Sequence, residues 1–140
     1  MRLPRFSLCV TLALAGCRAR PGPLHLAAEG ALGPYSAAVE AGGLVFLSGK
    51  VGRAGGSFAE ELGSALDAVE QDLARLSLSL ADVVSVNVFL TDMRDHAALN
   101  EVYGARLPRP HPARTTVAVS ALPGARRVEV QAVAMRRRDG

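Results

Sequence analysis

At 140 residues, 49% hydrophobic and 21% charged, with a net charge of +3, the chain has the length of one domain and too much apolar content for a disordered one. Fifteen of its sixteen basic residues are arginine, scattered apart from Arg126-Arg127 and Arg136-Arg137-Arg138, with no tryptophan and no interleaved aromatics, which argues against a nucleic-acid partner. Cys9 and Cys17 are the only cysteines, and His25, His96 and His111 stand far apart. The folded part is therefore expected to hold no disulfide, no thiolate nucleophile and no metal.

The first stretch, "MRLPRFSLCVTLALAGC", has Arg2 and Arg5 ahead of an apolar run from Phe6 to Gly16. That run is too short to span a bilayer as a mature helix, and the layout is that of a secretory signal. Leu14-Ala15-Gly16-Cys17 is similar to a bacterial lipoprotein box. On this reading residues 1–16 are a signal peptide and Cys17 becomes a lipidated N-terminus. Residues 17–32 are a tether, and the protein is exported and lipid-anchored on the periplasmic side of a bacterial membrane. The alternatives are an ordinary signal peptide, or a cytoplasmic protein whose start codon has been misplaced.

Beyond the tether, "GPYSAAVEAGGLVFLSGKVG" reads as two strands around a Gly42-Gly43 turn, the second being Leu44–Leu47. Ser57-Phe58-Ala59-Glu60 is a capping-box pattern. Phe58, Leu62, Leu66, Val69, Leu73 and Leu76 follow at helical spacing, with Glu61, Asp67, Glu70 and Asp72 largely off the stripe, so a helix over 58–77 is expected. "DVVSVNVFLTDM" alternates Val84, Val86, Val88 and Leu90 with Ser85, Asn87 and Phe89, the period of a strand. Asp95 is placed to cap a second helix near 96–104 that buries Leu99, Val102 and Tyr103. Pro110 and Pro112 then stiffen the entry to a strand, Thr115–Val119, at whose mouth Arg114 stands. After the turn "LPGA", Val128, Val130, Ala132 and Ala134 alternate with Glu129, Gln131 and Val133 in a last strand. The order β-β-α-β-α-β-β implies an α+β domain over residues 33–137, with two helices on one face of a mostly antiparallel sheet. Its other face keeps many apolar groups, which argues for a homo-oligomer.

Four stretches carry a resemblance: "GPYSAAVEAGGLVFLSG", "VVSVNVFLTDMRDHAALNEVY", "PARTTVAVSALPGA" and "VEVQAVA". Together, over about residues 33 to 136, the chain resembles the RidA (YjgF-type) reactive-intermediate deaminases. The resemblance implies a chorismate-mutase-like fold, a trimer with clefts between subunits, and no cofactor. It also implies hydrolysis of 2-imino acids to 2-keto acids and ammonia. It departs from the family pattern at Ala37 and Lys50, where glutamine is usual, and at Thr116, where cysteine is common. The segment "GARLPRPH" from Gly104 to His111 is shortened and lacks an aromatic pair.

Arg114 is the first candidate for the site. A guanidinium grips a carboxylate through two parallel hydrogen bonds, and the family's matching arginine does so; the alternative is an ion pair that anchors the loop. Glu129 is the second. If "ALPGAR" is a hairpin turn, Glu129 returns alongside Arg114 across the sheet, and the resemblance implies that it orients water and moves protons; the alternative is an exposed partner for Arg127 or another surface arginine. Tyr35, Ser48, Gly49 and Asn100 match cleft-lining positions, with a buried tyrosine, a turn hydroxyl and a helix-surface amide as the plainer readings. Backbone groups near Ala113 and Thr116 would hold the imine and a water. Besides imine hydrolysis, the same residues suit a trimer that binds small carboxylates without turnover, or a lipid-anchored interaction module.

Overall fold

The structure, a computed structural model, describes residues 22–136. The proposed signal peptide, Cys17 and the start of the tether lie outside the described residues. Strands β1 (Leu24–Ala27), β2 (Ser36–Ala41), β3 (Leu44–Leu47) and β4 (Lys50–Val51) precede helix α1 (Phe58–Arg75). Strand β5 (Val83–Leu90), helix α2 (His96–Arg106), and strands β6 (Ala113–Ala118) and β7 (Val128–Met135) complete the chain. The sheet runs β1-β2-β3-β7-β5-β6, with β4 also paired to β7. Helices α1 and α2 share one apolar core with the strands, built around Leu62, Leu66, Leu73, Val88, Leu99 and Val130.

Local chemistry accounts for the start of α1. Ser57 Oγ accepts from the Glu60 N–H, and the Glu60 carboxylate accepts from the Ser57 N–H at 2.7 Å, so both halves of the expected capping box form. The helix stops slightly earlier than its leucine stripe suggests. Leu76 leaves helical geometry and Ser77 has φ 58°, while Leu78 N–H returns to the Leu73 carbonyl. That closes the orphan carbonyls of the last turn.

Several expectations need correction. Leu24–Ala27 is not tether: it pairs antiparallel with β2 as an edge strand. Asp95 does not cap α2, because its backbone is already helical and its side chain bonds Arg127 instead. Asp92 caps the preceding single turn by accepting from the Arg94 N–H. Val84 does not join the buried row of β5. The register slips between Val83 and Ser85, so Val83 is buried and Val84 is pushed out. Glu61 and Asp72, read as off the buried stripe, are themselves buried. Glu61 Oε1 accepts from the Arg127 N–H at 2.7 Å, and Asp72 pairs with Lys50 and Arg75.

The largest correction is topological. "ALPGAR" is not a hairpin. Strand β6 runs parallel to β5, and β7 pairs antiparallel on the other side of β5. The sheet is therefore mixed, and β5 separates the strands that carry Arg114 and Glu129.

Candidate functional site

Register decides which candidates meet. Glu129 pairs with Phe89 and Val51, and its neighbours Val128 and Val130 are buried against the helices. Its side chain therefore projects from the opposite, open face of the sheet. There it lies against Gly49: a Cβ on Gly49 would sit 1.7 Å from Glu129 Oε1. The requirement for glycine is thus one of space. Leu32, Tyr35, Ser48, Gly49, Val51, Pro123 and Glu129 line a cavity of about 350 Å³. Four of the residues expected from sequence are thereby brought together. Tyr35 is 47% exposed rather than buried, and its hydroxyl accepts from the Leu32 N–H at 3.3 Å. Ser48 holds the cavity floor in place: its hydroxyl donates to the Ser36 carbonyl at 2.7 Å and its N–H to the Ala37 carbonyl at 2.9 Å. Arg127 is not the partner of Glu129, since it bonds Asp95, and the Glu129 carboxylate has no ion-pair partner among the described residues.

Arg114 belongs to a second group on the helix side. It pairs with the buried Val86, so it shares the face that carries α2. Its Nη2 donates to Asn100 Oδ1 at 2.7 Å, and its guanidinium carbon lies 4.7 Å from the centre of the Tyr103 ring. That is hydrogen bonding and cation–π support together. Burial holds the Tyr103 phenol above its ordinary pKa, with the charge of Arg114 pulling the other way. The ring under the guanidinium thus stays neutral. His111 faces the same ring, with centroids 6.2 Å apart, and His96 Nδ1 lies 3.5 Å from Asn100 Nδ2. Thr116, two residues beyond Arg114 on the same face, buries a hydroxyl oxygen with no partner among the described residues. Ala113 faces the other way, registered with Ser85. The alternative role for Arg114, a loop-anchoring ion pair, is not what the structure shows: no carboxylate bonds it among the described residues.

Within one chain the two groups cannot share a small substrate. Arg114 registers with Val86 and Glu129 with Phe89 on either side of β5. Three residues along a strand and two strands across separate their Cα atoms by roughly 14 Å, on opposite faces. Sequence reasoning also missed part of the Arg114 group. Tyr103 was legible only as core, yet its spacing of three from Asn100 puts both on one helix face. His96, four before Asn100, is found by the same rule.

The family model described as Endoribonuclease L-PSP matches residues 26–136. The chain belongs to the RidA/YjgF family. Among RidA-family relatives, the chloroplastic Reactive Intermediate Deaminase A of Arabidopsis thaliana is 41% identical over 116 residues, covering 76% of this chain and 61% of the relative. The 2-iminobutanoate/2-iminopropanoate deaminase of Dermatophagoides farinae is 34% identical over 109 residues, covering 73% and 85%. The crystal structure of RidA from an Antarctic Psychrobacter superposes with a TM-score of 0.72 at 37% identity, covering 75% of this chain and 90% of that one.

Proposed function

We propose that this protein hydrolyses reactive 2-imino acids to 2-keto acids and ammonia, in clefts shared between the subunits of a homotrimer. The observation that carries the reading is the supported guanidinium. Arg114 is held by Asn100 and Tyr103, and its remaining N–H donors have no partner among the described residues. A planar carboxylate takes two such donors side by side. The Tyr35–Ser48–Gly49–Glu129 cavity of one subunit supplies the other wall, facing the Arg114 group of the next. Relatives named as 2-imino acid and reactive-intermediate deaminases support the substrate class.

The chemistry asks little of the protein. Water adds to the electrophilic C2 of the imine, and a proton passes by way of the Glu129 carboxylate from that water to the nitrogen. The carbinolamine collapses: its hydroxyl proton passes, again by way of Glu129, to the nitrogen, the C2–N bond breaks with its electron pair leaving on ammonia, and the oxygen left behind forms the keto C=O. No nucleophilic side chain is required, so Thr116 in place of a thiol is compatible with turnover. Thr116 Oγ1, buried without a partner among the described residues, and the backbone at Ala113 and Thr116 are the groups offered to the imine and the water.

The test couples an amino-acid oxidase or dehydratase to imine decay. The purified protein accelerates decay, and R114A loses at least about tenfold in kcat/KM, since a hydrogen-bonded charge pair contributes on that scale. Unaccelerated decay, or R114A acting like wild type, refutes the assignment. A second reading, capture of small carboxylates without turnover, is favoured by one feature: the support of Arg114 does not involve Glu129. Stabilisation by 2-keto acids against heat without turnover of any imine would select it.

A further inference from the structure

The amide of Asn100 stands between Arg114 and His96, and its orientation is forced. Guanidinium carries only donors, so the group 2.7 Å from Arg114 Nη2 must be the amide oxygen. The amide NH₂ then faces His96 Nδ1, 3.5 Å away. His96 Nδ1 can complete that contact only as an acceptor, in a neutral imidazole carrying its proton on Nε2. A four-residue spacing on α2 sets the pair side by side.

We propose that neutral His96 is a positioning residue: it orients the Asn100 amide, and through it the Arg114 guanidinium, so that protonation of His96 loosens the carboxylate clamp. This rests on the carboxylate reading of Arg114 above. Once protonated, His96 Nδ1 becomes a donor facing a donor. Rotating the amide satisfies His96 but turns NH₂ toward the guanidinium. No orientation of Asn100 serves both partners, and one contact must be given up. The charged groups around His96 are already matched on two sides. Asp92 pairs with Arg94 on the turn before it, and Asp95 pairs with Arg127 at the start of β7. Arg114, from β6, is the cation beyond Asn100, so a charge on His96 adds a second cation to that side.

The experiment titrates a 2-keto acid, 2-oxobutanoate, onto the full chain and onto His96→Gln at about pH 8 and about pH 5. Wild type binds about tenfold more weakly at the lower pH, the scale of one hydrogen bond to a charged group. The glutamine oxygen accepts at every pH, so H96Q gives a shallower profile than wild type, any remaining slope belonging to His111 on the Tyr103 ring. Equal pH slopes in the two proteins overturn the proposal. So does tighter wild-type binding in acid, which would mean that the added charge simply attracts the anion. The ¹⁵N signal of the Asn100 side-chain amide provides a readout without ligand, and it moves with the His96 titration. If that signal tracks His96 while no keto acid binds at any pH, the carboxylate reading fails and the positioning role stands. If keto acid binds and the signal does not move, the positioning role fails.

Discussion

Gly49 and Glu129 show how one missing side chain can define a site. The Glu129 carboxylate occupies the space where a Cβ on Gly49 would project, with Cδ at 2.7 Å from that position and Oε1 closer still. The clash in Gly49→Ala falls on the far end of a flexible side chain, which can move away without disturbing backbone. G49A is therefore expected to fold with a nearly unchanged Tm. If Glu129 acts as proposed, kcat falls by about a hundredfold, the scale for a reacting group displaced by about an ångström. Calorimetry and the imine assay on the same preparation check both halves; a large loss of Tm would mean that Gly49 serves packing instead. Lys50 next door shows the opposite case. It points to the helix side, pairs with the buried Asp72 on α1, and so answers a carboxylate of the core rather than a ligand in the Glu129 cavity.

At the scale of elements, the sheet and helices are tied by polar groups that a hydrophobic pattern does not reveal. Glu61 on α1 accepts from the backbone at the entrance of β7. Arg136, just past β7, grips Glu40 of β2 with two bonds of 2.8 Å and donates a third to the Leu76 carbonyl at the end of α1. The bonds from Arg136 hold the Glu40 carboxyl below its ordinary pKa, against a smaller opposing effect of burial. A carboxyl whose folded pKa is depressed adds stability above its unfolded pKa and loses it as the pH falls through the folded value. Glu40→Gln should therefore cost about 1 kcal/mol near neutral pH, the scale of a bidentate, partly exposed pair. The difference from wild type should vanish in acid, below the folded pKa. Urea unfolding of both proteins across that range measures it; a pH-independent difference would assign the cost to packing.

The whole molecule is organised by what lies on the open face of its sheet. Rows such as Ala113–Ser85–Val133–Phe46 and Val117–Phe89–Glu129–Val51 cross it, with Phe46 44% and Val117 41% exposed. Glu129 stands in the second row. A copy covering this face would therefore bring its own groups up to the Glu129 cavity, while Arg114 serves from the helix side of a neighbouring sheet. If the cleft is shared, R114A and E129Q complement each other. Co-expressed at equal levels, they assemble at random, and over all the trimers formed about a quarter of the interfaces join an intact Arg114 to an intact Glu129. Activity should recover to about that fraction of wild type, above either variant alone. Co-purified mixed trimers without recovery would place the whole reaction in one chain.

Periodicity alone was enough to predict both helices and the alternation of β7 and of β5 from Val86 onward, because the apolar spacing that builds a core is written directly in the chain. Val128, Val130, Ala132 and Ala134 are buried as their pattern indicates, and the Ser57–Glu60 box forms because it is local. The residues that carry the candidate chemistry, Arg114, Glu129, Tyr35 and Ser48, were recognisable through local motifs and family resemblance. Their grouping was not. The partners of Glu61, Asp72 and Asp95 come from distant strands, and the bulge at Val84 depends on register with β7. Above all, the insertion of β5 between β6 and β7 is a choice of strand order, and the spacing of side chains along a strand contains no information about which strand lies beside it. That choice put a strand between Arg114 and Glu129, and register then set them on opposite faces.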